Sequence, residues 1–306
     1  MKGLLLGLGM AALLLGGCAT APSQSTLVQA QAAQSLAPLL PMRRFVANAE
    51  RTGGFVLSPD GQRLLWSQTV GTDNGLAVRP VTDTQAVRTF AIGNQGRRGG
   101  YYNWLPDSRH VVFSKDERGD ENTQLQVFDA HASEMRPWQV TPARGVRAWV
   151  VSRGVASSAR FFFASNQRDR STFDLYEADA ATRQVTEVAR SDGAVLDWLV
   201  GTDARSVGRI RQLGKDDGSG AALELRDVAG GWQTLKTWGG FDSFRVLRLD
   251  PAQGKLWALS NLGRDKAALV EMDTASGAER VLAEHAVVDV ASASFASMTG
   301  PPVGYA

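Results

Sequence analysis

"YYNWLPDSRHVVFSKDERGDENTQLQVFD", Tyr101–Asp129, poses the choice on which the fold turns: a carboxylate site, or strands joined by polar connections. An apolar run beginning at Tyr101 is followed by a polar turn and a second apolar run, in which Val111–Ser114 form a strand. Gln124–Asp129 alternates apolar and polar residues, as a further half-buried strand does. Asp116, Glu117, Asp120, Glu121 and Asn122 therefore fall in the loop between two strands. Asp, Gly and Asn tolerate tight-turn geometry, which accounts for this composition without chemistry. General acid–base work requires carboxylates held on a rigid frame with displaced pKa values, and a sequence displays neither. The five residues are read as a turn first, and beyond that as a loop facing substrate or a neighbouring domain, because loops at a rim carry contacts.

The stretch recurs. "GFVLSPDGQRLLWSQ" from Gly54, "RAWVVSRGVASSARFFFAS" from Arg147 and "FRVLRLDPAQGKLWALS" from Phe244 share its strand–turn–strand pattern, and "VLDWLVGTDARSVGRIRQL" from Val195 is a weaker fifth copy. The large residue late in each second strand, Trp66, Phe113, Phe163, Ile210 and Trp257, returns at intervals of 47, 50, 47 and 47 residues. A third strand follows each pair ("GLAVRPV", "TQLQVFDA", "FDLYEADA", "ALELRDV", "ALVEMDT"), then a shorter fourth. Four short strands in roughly 40 to 50 residues are the mark of a β-propeller blade. One such sheet exposes apolar residues on both faces, so blades must stack to share a core. The expected fold is all-β: a propeller with five complete four-stranded blades and the start of a sixth at about Val287. The ring is expected to be incomplete, with the chain forming the front of a longer protein; the alternative has Arg43–Glu50 completing the last blade. Unpaired blade edges are sticky, which predicts poor solubility for the chain by itself.

Composition agrees with a globular chain: 306 residues, 43% hydrophobic and 21% charged. Lys+Arg 33 against Asp+Glu 31 gives a formal charge of +2, with no basic run beyond Arg43-Arg44 and Arg97-Arg98, so nucleic acid is excluded as an expected partner. Lys2 and the apolar segment Gly3–Gly17, shorter than the roughly 20 residues that span a bilayer, read as an export signal. Leu15-Gly16-Gly17-Cys18 resembles the bacterial lipobox, and Cys18 is the sole cysteine of the chain. The expected organisation is a signal peptide at 1–17, a lipid-anchored flexible tether at 18–42 rich in Ala, Gln, Ser and Pro, and the propeller at 43–306. Cys18 is the expected lipidation site, and Ala19 after it points to the outer membrane, facing the periplasm. Membrane contact would then run through lipid and not through a helix.

Other side chains have ordinary explanations. The tryptophans from Trp104 to Trp257 recur where blades pack, so burial accounts for them better than a stacking platform does. Lys215–Gly220, "KDDGSG", lacks both the twelve-residue calcium pattern and the G-K-[ST] of a P-loop, and reads as a hairpin turn. Arg97, Arg98, Arg168 and Arg170 are read as solvated surface. His110, His131 and His285 are too dispersed for a zinc site and stand near no nucleophile motif, so neither a metal nor any other cofactor is expected.

"LSPDGQRLLW", "WLPDSRHVVFSKDERGDENTQLQVFD" and the closing "VVDVASASFASMTGPPVGYA" resemble the N-terminal propeller of the prolyl oligopeptidase family of serine peptidases, above all its acylaminoacyl-peptidase and dipeptidyl-aminopeptidase-like members. The resemblance extends over about Arg43–Ala306. It implies a propeller preceding an α/β-hydrolase domain with a Ser-Asp-His site. The G-x-S-x-G elbow of such a domain occurs nowhere in the chain, nor does an alternating strand–helix pattern, so these residues are expected to be inactive by themselves. The implied role is to gate and orient short peptides for a hydrolase domain that this chain does not contain, the partners being that domain and a peptide substrate. The alternative is a stand-alone envelope propeller lipoprotein that binds another protein.

Overall fold

The computed structural model describes residues 52–93, 100–116, 119–142, 144–214 and 220–306. The segments expected as signal peptide and tether, Cys18, the Arg43–Glu50 segment, Arg97, Arg98 and Glu117 lie outside the described residues, as does all but Gly220 of the expected Lys215–Gly220 turn.

Five four-stranded antiparallel meanders follow one another. Blade 1 comprises β1 (Gly53–Leu57), β2 (Arg63–Val70), β3 (Asp73–Pro80) and β4 (Arg88–Ala91). Blade 2 comprises β5 (Tyr102–Trp104), β6 (His110–Lys115), β7 (Gln124–Asp129) and β8 (Trp138–Gln139). Blade 3 comprises β9 (Ala148–Ser152), β10 (Arg160–Ser165), β11 (Asp174–Asp179) and β12 (Gln184–Ala189). Blade 4 comprises β13 (Val195–Val200), β14 (Val207–Gln212), β15 (Ala221–Arg226) and β16 (Trp232–Trp238). Blade 5 comprises β17 (Phe244–Asp250), β18 (Lys255–Ser260), β19 (Ala268–Asp273) and β20 (Glu279–Ala283). A two-stranded sheet, β21 (Ala293–Ser294) with β22 (Gly304–Tyr305), begins a sixth.

Strand period and blade stacking are the same fact seen at two scales. Successive side chains on a strand point to opposite faces, so Val111 and Phe113 on β6 pack toward blade 1 with Leu65 and Leu76, while Val112 between them packs toward blade 3 with Phe161 and Phe163. On β10, Phe162 turns the other way and joins Trp198 of blade 4. Leu256 and Ala258 on β18 meet Leu223 of blade 4, and Leu259 meets Val290 on the side of the sixth sheet. Each neighbouring pair thus encloses its own apolar cluster, the arrangement the long repeat demanded. Trp104, Trp198 and Trp257 are almost wholly buried within these clusters or beside them.

The sixth sheet is tied to blade 5 by polar contacts. The Arg248 guanidinium lies 3.8 Å over the Phe295 ring and donates to the carbonyls of Gly300 at 2.9 Å and Ser297 at 2.8 Å. Buried Asp250 accepts the Gly300 N–H at 2.8 Å. On blade 1, Val56 turns inward to the blade 2 cluster, whereas its neighbours Phe55 and Leu57 are exposed on the opposite face. Among the described residues no helix is long and apolar enough to cross a membrane.

Candidate functional site

The acidic stretch joins β6 to β7. Pairing is regular up to Lys115↔Gln124, so Asp116 and residues 119–123 lie outside the ladder by register and not by a failure of the strands. Gly119 (φ 77°) and Glu121 (φ 62°) adopt the left-handed backbone that closes the loop. The Asp120 carboxylate accepts the Asn122 backbone N–H at 3.1 Å and its side-chain amide at 3.0 Å. At its far end Thr123 is pinned to β9: its carbonyl accepts the Ala148 N–H at 2.8 Å, and its hydroxyl donates to the Ala148 carbonyl at 3.3 Å.

Exposure and electrostatics divide the residues. Asp116 is buried, whereas Asp120 and Glu121 are exposed and Asn122 is partly so. The Asn122 side-chain amide, helped by its backbone N–H and by a hydrogen bond with Asp116, holds the Asp120 carboxyl below its ordinary value. A carboxyl so stabilised is an anion at neutral pH and has no proton to give as a general acid. The exposed Asp120 carboxylate is thus a negative charge in the β6–β7 loop.

Sequence reasoning missed that this loop is itself part of the repeat. Ser114 and Arg118 of "SKDERGD" correspond to Ser165 and Arg168 of "SNQRD" and to Ser260 and Arg264 of "SNLGRD". Where the side chains are described, this motif ties the end of a blade's second strand to the start of its first. Ser114 Oγ accepts the Tyr101 N–H at 2.8 Å, Asn166 accepts the Arg147 N–H at 2.7 Å, and Asn261 accepts the Ser243 N–H at 2.7 Å. The three histidines also have structural partners. His110 Nδ1 lies 2.5 Å from Asp107, His131 Nε2 accepts from Arg63 at 3.0 Å, and His285 Nδ1 accepts the Val287 N–H at 3.2 Å. Among the described residues no cluster of three or more His, Cys, Asp or Glu is placed to hold a metal.

Arg168 is a correction to the sequence reading. It is not merely a solvated cation: it donates to Asp174 at 2.5 and 2.8 Å, and that carboxylate is fully buried and also accepts the Ser191 N–H at 2.8 Å. Arg170 reaches the Arg144 carbonyl at 3.2 Å. Burial pushes the Asp174 carboxyl up, but the Arg168 and Ser191 hydrogen bonds outweigh it and hold it below its ordinary 3.8. A group with a depressed folded pKa stabilises fully above its unfolded pKa and loses that contribution as pH falls through the folded value. The thermal midpoint is therefore expected to be insensitive to this group between pH 7 and 5 and to fall below about pH 4. In Asp174→Asn that acid-limb slope should be shallower, measured by melting across pH 2.5–7; an unchanged slope would remove Asp174 from the account.

No protein-family model matches the chain. The fold is nonetheless that of a β-propeller, and the proteins it is similar to in sequence and in fold are peptidases. In sequence it is similar to dipeptidyl aminopeptidase BIII of Pseudoxanthomonas mexicana, with 26% identity over 276 residues, covering 85% of this chain and 38% of the relative. The chain thus spans well under half the length of that relative. In fold it is similar to a puromycin-hydrolyzing peptidase of Mycobacterium tuberculosis (TM-score 0.50, 14% identity, 76% of this chain and 38% of that one). It is likewise similar to a prolyl endopeptidase (TM-score 0.52, 13% identity, 73% and 34%).

Proposed function

We propose that these residues are the non-catalytic propeller of a lipid-anchored serine peptidase, which gates and orients short peptides for a hydrolase domain outside this chain. The relationship to a dipeptidyl aminopeptidase, confined to 38% of that protein's length, is the observation that carries this reading. The described residues form strands and turns throughout, and none belongs to a strand–helix hydrolase sheet. Stacked blades, once closed into a ring by the rest of the longer protein, exclude folded proteins by size, while charges such as Asp120 and Glu121 meet the amino end of an extended peptide. Cys18 supplies the anchor through lipid, which places the protein at the periplasmic side of the outer membrane.

The test is made in the native organism with antiserum raised against the chain. The expected species is membrane-bound, substantially heavier than 32.8 kDa, labelled by radioactive palmitate, and unlabelled in Cys18→Ser. The 306-residue chain itself is expected to turn over no chromogenic dipeptidyl or acylaminoacyl substrate. A soluble, unlabelled species of about the chain's own mass, or turnover that follows the purified chain, would replace this reading.

A further inference from the structure

Blades 2 and 3 part on the side that carries the β5–β6 and β7–β8 turns. β8 has two residues, whereas β4, β12, β16 and β20 have four, six, seven and five. The cause lies in residues 130–135, which lean toward blade 1. Arg88 on β4 donates to the carbonyls of Ala130 at 3.1 Å, Ala132 at 2.5 Å and Ser133 at 3.2 Å, and Met135 packs into the cluster between blades 1 and 2. A loop fastened there cannot extend β8 along β7. A cavity of about 500 Å³ opens instead between β7 and the β9–β10 and β11–β12 turns of blade 3.

Its lining is divided by chemistry. Val127, Trp138 and Ala180 give it apolar lining, and Arg109, Arg136 and Arg183 are the cationic residues that line it. Two carboxylates also line it, and both are already satisfied. Asp107 is bound by His110 and by the N–H groups of Arg109 and His110, and Asp129 by Arg109 at 2.7 and 3.0 Å and by the His131 N–H at 2.8 Å. Arg183, by contrast, has no hydrogen-bond or ion-pair partner among the described residues. Arg136 holds Glu134 at 2.6 Å with both side chains mostly in water, a pairing readily exchanged for another anion.

We propose that this cleft binds a small organic monocarboxylate with a flat apolar body, its carboxylate taken by Arg183 and Arg136 and its body by Trp138 over Val127 and Ala180. The guanidinium fork matches two carboxylate oxygens, and the volume is that of an ordinary small-molecule pocket. Fixed negative charge on Asp107 and Asp129 repels a dianion more than a monoanion, which selects a carboxylate over a phosphate.

The test is calorimetric titration of the full chain with phenylacetate, with phenylacetamide as its neutral isostere and inorganic phosphate as the dianion. Saturable binding of one phenylacetate with a dissociation constant on the order of 1 mM is expected. The amide should bind at least about 10-fold more weakly, and Arg183→Gln and Arg136→Gln should each weaken phenylacetate by roughly 10-fold, one ion-pair's worth. Both arginines are exposed, so melting curves should be unchanged and folding is not at issue. Equal affinity for acid and amide, full affinity in Arg183→Gln, or no saturable binding would overturn the site, and phosphate binding tighter than phenylacetate would overturn its ligand class.

Discussion

Truncation of Trp104 to alanine is expected to cost about 3–5 kcal/mol, the range for removing a fully buried aromatic side chain. For a domain of this size that lowers the thermal midpoint by roughly 10 °C. The argument rests on position. Trp104 is 0% exposed, lies on β5, the first strand of blade 2, and packs with Leu65 and Val78 of blade 1. Its indole N–H donates to the Val56 carbonyl on β1 at 3.2 Å. The residue therefore contributes dispersion and a cross-blade hydrogen bond at one point, and a cavity there loosens blade 1 from the rest. Because each blade is stabilised mainly by its neighbours, unfolding of Trp104→Ala should begin at blade 1, seen as early proteolysis between 81 and 87. Trp104→Phe keeps most of the packing and loses the hydrogen bond, for about 1–2 kcal/mol. Differential scanning calorimetry measures both, and equal losses in the two variants would show that packing is not the dominant contribution.

How legible this was depended on which residues face which way. The blade period was readable because Trp66, Phe113, Phe163 and Trp257 are large, apolar and buried, so burial and repetition coincide. The β6 and β7 strands fell within a residue of their expected ends because turn-forming residues bracket them. Arg168 was misread because a cation is ordinarily solvent-facing, and nothing in "SNQRDRSTFD" announces that Asp174, six residues on, is buried and needs a partner. The blade 2–3 cleft was equally invisible, since it depends on Arg88 in another blade drawing residues 130–133 aside. Blade 4 looked the weakest copy for a specific reason: in "VGRIRQ" Arg209 and Arg211 stand on a central strand, where the other blades place apolar side chains.

Those arginines carry the other large effect. Arg209 is 7% exposed and Glu224 4%, and their side chains meet at 2.6 Å on adjacent strands β14 and β15. Arg211 reaches the other carboxylate oxygen at 3.1 Å, Asp192 approaches Arg209 at 3.3 Å from the blade 3–4 connection, and Trp232 lies under the Arg209 guanidinium at 4.2 Å. Removing one partner from a buried ion pair strands the other charge in a low-dielectric site, and the loss is about 3–5 kcal/mol. Glu224→Ala is therefore expected to destabilise blade 4 by that amount, comparable to the loss at Trp104. Replacing the pair together is a different matter, because the desolvation cost disappears along with the attraction. The combined Arg209→Met and Glu224→Leu variant should recover most of the stability lost in Glu224→Ala, and a double-mutant cycle whose single variants are Arg209→Met and Glu224→Leu should, by urea denaturation, give a coupling of at least about 2 kcal/mol. If the single losses simply add, the network is a set of independent surface contacts, and the weakness of the fourth repeat has some other origin than a core built from charge in place of hydrocarbon.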